Sequence, residues 1–326
     1  AGVDNRPYLF LDEIQNIKGW EKFVRRIADM KYRINITGSN SKMLSSEIAS
    51  TLGGRFMIVD IYPYSFPEYL LAQGKNKNYL DILSTKDRAE VLGMYDQYVK
   101  YGAFPELVGI RNKREFLNSI YQTIYLGDII TRNKITNDFA VRLILKKIAE
   151  SITKPLSFNR LGNILKSAGA AIGKQTVINY VGYMMESYML FTLQNYAAKL
   201  IQKETSPKYY FMDTGLLGLM LMDCSSAQLE NLVAIELIRR FGREKVFYFE
   251  NNVEIDFYIP EEKLAIQVSM QVLDQIETRE REIGAFLKLR NFIEGARCIL
   301  ITNSEEAELD CDGIHVSVVP AWKWLL

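Results

Sequence analysis

The chain has 326 residues, enough for about two or three domains, and a hydrophobic content of 48% excludes a disordered polymer. Forty basic residues stand against 39 acidic ones, a net charge of +1, so a nucleic-acid face has to be a local patch. Three cysteines without metal or CxxC spacing fit a reducing cytoplasm, one histidine cannot build a His-rich metal centre, and no run of about 18 apolar residues offers a membrane span.

Ala1–Pro7 carry no signal-peptide pattern, and a buried-strand pattern begins at Tyr8, as expected of a piece cut from a longer protein. Tyr8-Leu9-Phe10-Leu11 reads as a strand buried on both faces and ends in Asp12-Glu13. Trp20, Phe23, Val24 and Ile27 then recur at helical spacing. Arg33 to Thr37 reads as a second strand, closed by Gly38-Ser39-Asn40-Ser41. Strand, helix and strand with polar carboxyl ends predict a doubly wound α/β unit over residues 1–70, with a helix at 44–52 and a third strand from Phe56 to Ile61.

Pro63, Pro67 and Pro105 punctuate the next stretch. Residues 71–138, with helical stretches at 87–101 and 113–131, read as a helical lid or connector. Residues 139–212 carry three helical stretches, at 139–152, 157–167 and 174–188. Two apolar stretches come after them, Met189–Gln194 and Lys208–Met212, on either side of a basic loop. Three helices and a two-stranded hairpin make the winged-helix layout. Residues 213–326 read as an α/β domain with a mixed sheet: helices at 228–241 and 276–288, strands at 246–250, 254–259, 264–269, 297–302 and 314–318. His315 reads as an ordinary strand residue.

Leu9-Phe10-Leu11-Asp12-Glu13 is a Walker B pattern, an apolar strand followed by two carboxylates. The first helps hold Mg²⁺ and the second polarises the attacking water. The alternative is a strand that ends in acidic residues at a helix start, where carboxylates suit the dipole. The order of the next motifs along the chain favours Walker B. Thr37-Gly38-Ser39-Asn40 ends the second strand where Ser39 or Asn40 can sense a γ-phosphate, and Arg55 follows Gly53-Gly54 where an arginine can serve a neighbouring subunit's nucleotide.

Leu11-Asp12-Glu13-Ile14-Gln15, Ile36-Thr37-Gly38-Ser39-Asn40-Ser41, Leu52-Gly53-Gly54-Arg55 and Pro63-Tyr64-Ser65-Phe66-Pro67-Glu68 resemble a prokaryotic family of AAA-type P-loop ATPases. Gly102-Ala103-Phe104-Pro105-Glu106 resembles its Gly-Gly-Phe-Pro-Glu signature, with Ala103 in place of the second glycine. Asp213-Thr214-Gly215-Leu216, Leu229-Glu230-Asn231, Glu254-Ile255-Asp256-Phe257 and the closing Pro320-Ala321-Trp322-Lys323-Trp324-Leu325-Leu326 extend the resemblance over the whole chain. It implies a Walker A loop, GxxxxGK[ST], before the Walker B strand. The 326 residues hold none: Gly169 to Thr176 spaces its glycines wrongly and sets Gln175 where Ser or Thr should meet Mg²⁺.

In the winged-helix segment, Ser157 can cap a helix and Gly169 to Gly173 makes the turn. Lys174, Gln175, Thr176 and Asn179 open the next helix, where DNA-bound winged helices face the major groove, and Lys199 and Lys203 stand where a wing meets phosphate. The alternative is a module that packs between the ATPase and the tail. In the last segment Glu236, Asp256, Gln267 and Ser269 follow the order of a PD-(D/E)xK nuclease, a restriction-endonuclease-like α/β core. Gln267 replaces its metal-binding Glu and Ser269 its Lys, which predicts a degenerate site. Activity would require replacements, for example from Glu277, Glu280 or Glu282. The expectation is a cytoplasmic protein whose full-length form hydrolyses ATP with Mg²⁺, binds duplex DNA or protein, and can form homo-oligomers, while this chain holds no cofactor tightly and is inert towards ATP. The alternative is a scaffold that binds without hydrolysis.

Overall fold

A computed structural model describes residues 7–14, 17–39, 52–53, 56–75, 84–170, 172–223 and 225–326. Strands β1 (Tyr8–Leu11) and β2 (Arg33–Ile36) pair in parallel, Leu11 opposite Ile36, and helix α1 (Trp20–Asp29) crosses between them. Trp20 and Val24 cover one face of the pair, packing with Ile14, Leu11, Ile34 and Ile36. The other face is open. Phe10 is 74% exposed, where the apolar run predicts burial on both sides. Parallel strands are normally covered on both faces, and no second layer exists here among the described residues.

The third strand expected at Phe56–Ile61 is not formed. These residues pair with no described strand, and Met57 is 91% exposed. An apolar, β-branched run becomes a strand only when a neighbour satisfies its backbone groups. The helix expected at 44–52 lies outside the described residues except at its last position.

Helix α2 (Phe66–Ala72) opens on a capping box: Ser65 Oγ accepts from Glu68 N, and the Glu68 carboxylate accepts from Ser65 N at 2.7 Å. Ser84 and Asp87 repeat the device at α3 (Thr85–Tyr101). Helix α4 (Lys113–Gln122) runs on into a π-helical stretch, Thr123–Thr131, where the spacing over 113–131 predicts one regular helix. Three helices follow, α5 (Asp138–Ala149), α6 (Phe158–Ser167) and α7 (Lys174–Glu186), the first two capped by Asn137 and Ser157.

Strands β3 (Leu190–Asn195) and β4 (Lys208–Phe211) form the expected antiparallel hairpin. Their basic loop holds a short helix, α8 (Leu200–Thr205), that its polarity does not announce. Beyond it come α9 (Thr214–Met220), α10 (Ser225–Phe241), β5 (Phe247–Glu250), β6 (Glu254–Ile259), β7 (Leu264–Ser269), α11 (Ile276–Leu289), β8 (Arg297–Thr302), β9 (Ala307–Cys311), β10 (Ile314–Pro320) and α12 (Ala321–Trp324). The sheet order is β4-β3-β5-β6-β7-β8-β10-β9. Strand β3 pairs in parallel with β5, Gln194 opposite Phe247, so the segments 139–212 and 213–326 share one sheet. One apolar core runs from Phe66 through α5, α10 and β7 to Leu325. Among the described residues no helix is long and apolar enough to cross a membrane.

Candidate functional site

The carboxyl edge of the β1–β2 pair gathers four polar side chains. Asp12 and Glu13 follow β1, and Thr37 and Ser39 follow β2; Thr37 N bonds Leu11 O at 2.9 Å and fixes the register of the two ends. Thr37 Oγ1 donates to Asp12 Oδ1, and Ser39 Oγ donates to Glu13 Oε2 at 3.2 Å. Helix α1 begins only at Trp20, with Gly19 as its N-cap, so the two carboxylates do not serve its first turn. Glu13 sits in left-handed backbone, φ 49°, unusual for a residue with a side chain. Its charge reaches Asp128 in the π-helical stretch. Burial raises the pKa of Asp128, Arg132 beside it at 2.6 Å opposes the rise, and Glu13 adds to it. Asn40 and Arg55 lie outside the described residues.

Three of the motifs that carry the family resemblance meet at one junction. Asp213, fully buried before α9, accepts from Ala103 N and Gly215 N, each at 2.8 Å. Ala103 O accepts from Tyr64 N at 2.9 Å, and Tyr64 O accepts from Tyr98 Oη at 2.9 Å. Arg239 on α10 donates to Pro63 O at 2.9 Å and stands over the Tyr62 ring. Burial pushes the Asp213 carboxyl up to about 6, against the backbone N–H groups of Ala103, Gly215 and Leu216 that favour its charged form. The folded value exceeds the ordinary 3.8, so the stability Asp213 contributes is complete below pH 3.8 and is lost as pH rises through about 6. Urea midpoints of the wild-type chain should fall over that window by more than those of Asp213→Asn, which has no proton to lose. Parallel profiles would count against this.

A second charged cluster lies over β6. The Lys208 ammonium is fully buried, 3.0 Å from Glu254 Oε1, 3.7 Å from Asp256 Oδ1 and 3.8 Å from Glu230 Oε1. Tyr210 Oη donates to Glu230 Oε1 at 2.8 Å, and Glu282, paired with Arg281 at 2.6 Å, adds a fourth carboxylate to the surroundings of Asp256. Burial pulls the Lys208 pKa down, but Glu230, Asp256 and Glu254 outweigh it and the net shift is upward. Burial likewise raises Glu230, Asp256 and Glu282.

Of the expected nuclease-like residues, only Asp256 is at this cluster's centre. Glu236 is turned away and pairs with Arg240 at 2.7 Å; Glu230 is the carboxylate of α10 that faces in. Six residues of helix separate the two by about 120° around the axis. Gln267 Oε1 accepts from Asp256 N and its Nε2 donates to Glu254 O, while Ser269 Oγ donates to Gln271 O at 3.2 Å, so both side chains are taken up by backbone. Lys208, Glu230 and Glu254 escape a reading of motifs, because three separate elements deliver them.

On α7, Lys174, Gln175 and Asn179 are exposed and Thr176 is half-buried; Gln175 Nε2 donates to Asn179 Oδ1 at 3.1 Å. Lys199 is exposed at the start of α8, and Lys203 lies over the rings of Tyr196 and Phe247. His315 is exposed on β10 beside Asp310 and Glu308, whose carboxylates raise its pKa.

Residues 2–70, which include the β1–β2 pair and its carboxylates, match the model of an AAA domain, and residues 92–227 match that of a domain of unknown function. The front of the chain is thus AAA-like. An uncharacterized protein of Methanocaldococcus jannaschii is 33% identical over 337 residues, covering 99% of this chain and 76% of its own length. One of Haemophilus influenzae is 29% identical over 325 residues, 97% of this chain and 77% of its own length. The chain belongs to the same family as the Methanocaldococcus protein, and within it only residues 2–70 match the AAA domain.

Proposed function

We propose that the full gene product is an AAA-type ATPase that binds Mg²⁺ and ATP and couples hydrolysis to the binding of duplex DNA. One observation carries the reading: hydroxyls at the end of β2 bond both carboxylates at the end of β1. Carboxylates and hydroxyls are the hard oxygen donors that Mg²⁺ prefers, and Asp12 would help hold the ion. Mg²⁺ held there would supply charge neutralisation for the nucleotide's phosphates. Glu13 orients and deprotonates the attacking water, and Ser39, tied to Glu13, registers the γ-phosphate together with Asn40. Arg55 serves the nucleotide of a neighbouring copy in a homo-oligomer. The 326 residues contain no GxxxxGK[ST] loop, so this chain alone is expected to be inert towards ATP. Mg²⁺-dependent turnover by the full gene product tests the reading.

The DNA partner rests on local charge. Residues 139–188 hold Arg142, Lys146, Lys147, Lys154, Arg160, Lys166 and Lys174 against only Glu150 and Glu186, in a chain that is otherwise slightly acidic. We read the three helices and the hairpin of this segment as a winged helix, with the exposed start of α7 as its reading edge. Duplex affinity should fall steeply with salt, and Lys174→Ala should reduce the log–log slope by about 1. A flat salt response would point instead to a protein partner. The segment beyond Asp213 follows a nuclease-like order, α10, the β5–β6–β7 meander, α11 and parallel β8, and is read as a scaffold without nuclease chemistry.

A further inference from the structure

A nuclease-like order implies a divalent ion at Asp256, and the residues present do not fit one. The site's amide, Gln267, is held by the backbone of Asp256 and Glu254. Ser269 carries no charge. Among the described residues no three acidic, cysteine or histidine side chains converge closely enough to hold a metal.

What stands at the centre is Lys208. Carboxylate oxygens of Glu254, Asp256 and Glu230 surround its ammonium from a strand and a helix, at 3.0, 3.7 and 3.8 Å. Its nearest oxygen, Glu254 Oε1 at 3.0 Å, lies off the ideal hydrogen-bond direction, so the ammonium acts chiefly through its charge. The Tyr248 ring lies 5.3 Å away and adds its π face. Three carboxylates from one strand and one helix around one positive centre repeat the charge pattern of a divalent-ion site, but stand roughly 1–1.7 Å farther out than Mg²⁺ contact distances. The geometry of Lys208 also explains why several carboxylates can be buried together. Asp256 is only 17% exposed and Glu230 7%, and buried charges persist where a counter-charge is built in.

We propose that Lys208 is a built-in cation: its ammonium fills the place that a divalent ion would take, ties β4 to β6 and α10, and closes the site to metal. The C-terminal region then keeps its fold and its binding surface in the presence of chelators. Glu254, 52% exposed, is the one ligand that opens to solvent, so a cation could enter from its side once the ammonium is gone. None of this depends on nucleotide chemistry at the other end of the chain.

The test is a Mn²⁺ titration of the 326-residue chain, read by loss of the free-ion electron paramagnetic resonance signal. Wild type should show no binding that Asp256→Asn removes, up to about 1 mM. Lys208→Met should gain one site, at least about tenfold tighter than any in wild type, and Lys208→Met/Asp256→Asn should lose it. Wild-type binding that Asp256→Asn abolishes would overturn the proposal, and so would a folded Lys208→Met that gains nothing. If Lys208→Met melts too low to titrate, the readout is rescue. Mn²⁺ should raise its melting temperature and leave that of wild type unchanged, and absence of rescue overturns the proposal.

Discussion

Gly102→Ala is expected to lower the free energy of urea unfolding by about 3–5 kcal/mol. Gly102 has φ +77°, a region that costs a residue with a Cβ, and a Cβ there would lie 1.8 Å from Asp213 Oδ1. The carboxylate cannot step aside, because the backbone N–H groups of Ala103 and Gly215 hold it in a fully buried position. Removing it would leave those donors unpaired, which is costly in itself. Gly215→Ala should behave similarly, since its Cβ would meet Tyr101 O, a backbone atom, at 2.2 Å. The next residue, Ala103, already carries its methyl group in the core, so the demand falls on Gly102 alone of the pair. Unfolding free energies within about 1 kcal/mol of wild type for both variants would show that the junction relaxes and is no rigid link.

Glu13→Gln is expected to lower kcat of the full gene product by at least about 100-fold while ATP binding is retained. The amide keeps the shape and can still accept from Ser39 Oγ, so the 3.2 Å contact need not break. What it loses is the group proposed as the base. Asp12→Asn should act differently, weakening the dependence on Mg²⁺ because an amide is a poorer ligand than a carboxylate. Equal, modest effects on KM from both changes would identify the pair as structural carboxylates at a strand end.

Most regular elements could be read from spacing, because their burial is local and periodic. Leu161 and Leu165 mark one face of α6, and Ser157 marks its start. Elements whose state depends on partners could not. Tyr8–Leu11 and Phe56–Ile61 have the same apolar texture, yet one pairs with β2 on a half-open sheet and the other pairs with no described strand. Strand β9, Ala307–Cys311, is half polar with Glu308 and Asp310 facing solvent, and only its pairing with β10 makes it a strand. The union of the β3–β4 hairpin with the larger sheet rests on one short parallel contact that no periodicity encodes.

The sites divide in the same way. The Asp12-Glu13 pair and the residues after β2 are short stretches at strand ends, so their order in the chain is their order in space. The Lys208 cluster is assembled from β4, β6, α10 and α11, and only the fold brings them together. Helix α10 is buried all around from Gln228 to Ile238, so polarity gives no face by which to prefer Glu230 over Glu236.

Mg²⁺-dependent ATP turnover by the full gene product, measured with and without duplex DNA beside the 326-residue chain, is the decisive assay for the ATPase reading. The expected result is turnover that DNA stimulates, that Glu13→Gln abolishes, and that the 326-residue chain lacks. A full gene product that neither binds nor hydrolyses ATP would contradict that reading, and would leave a binding scaffold built on a P-loop fold without its chemistry.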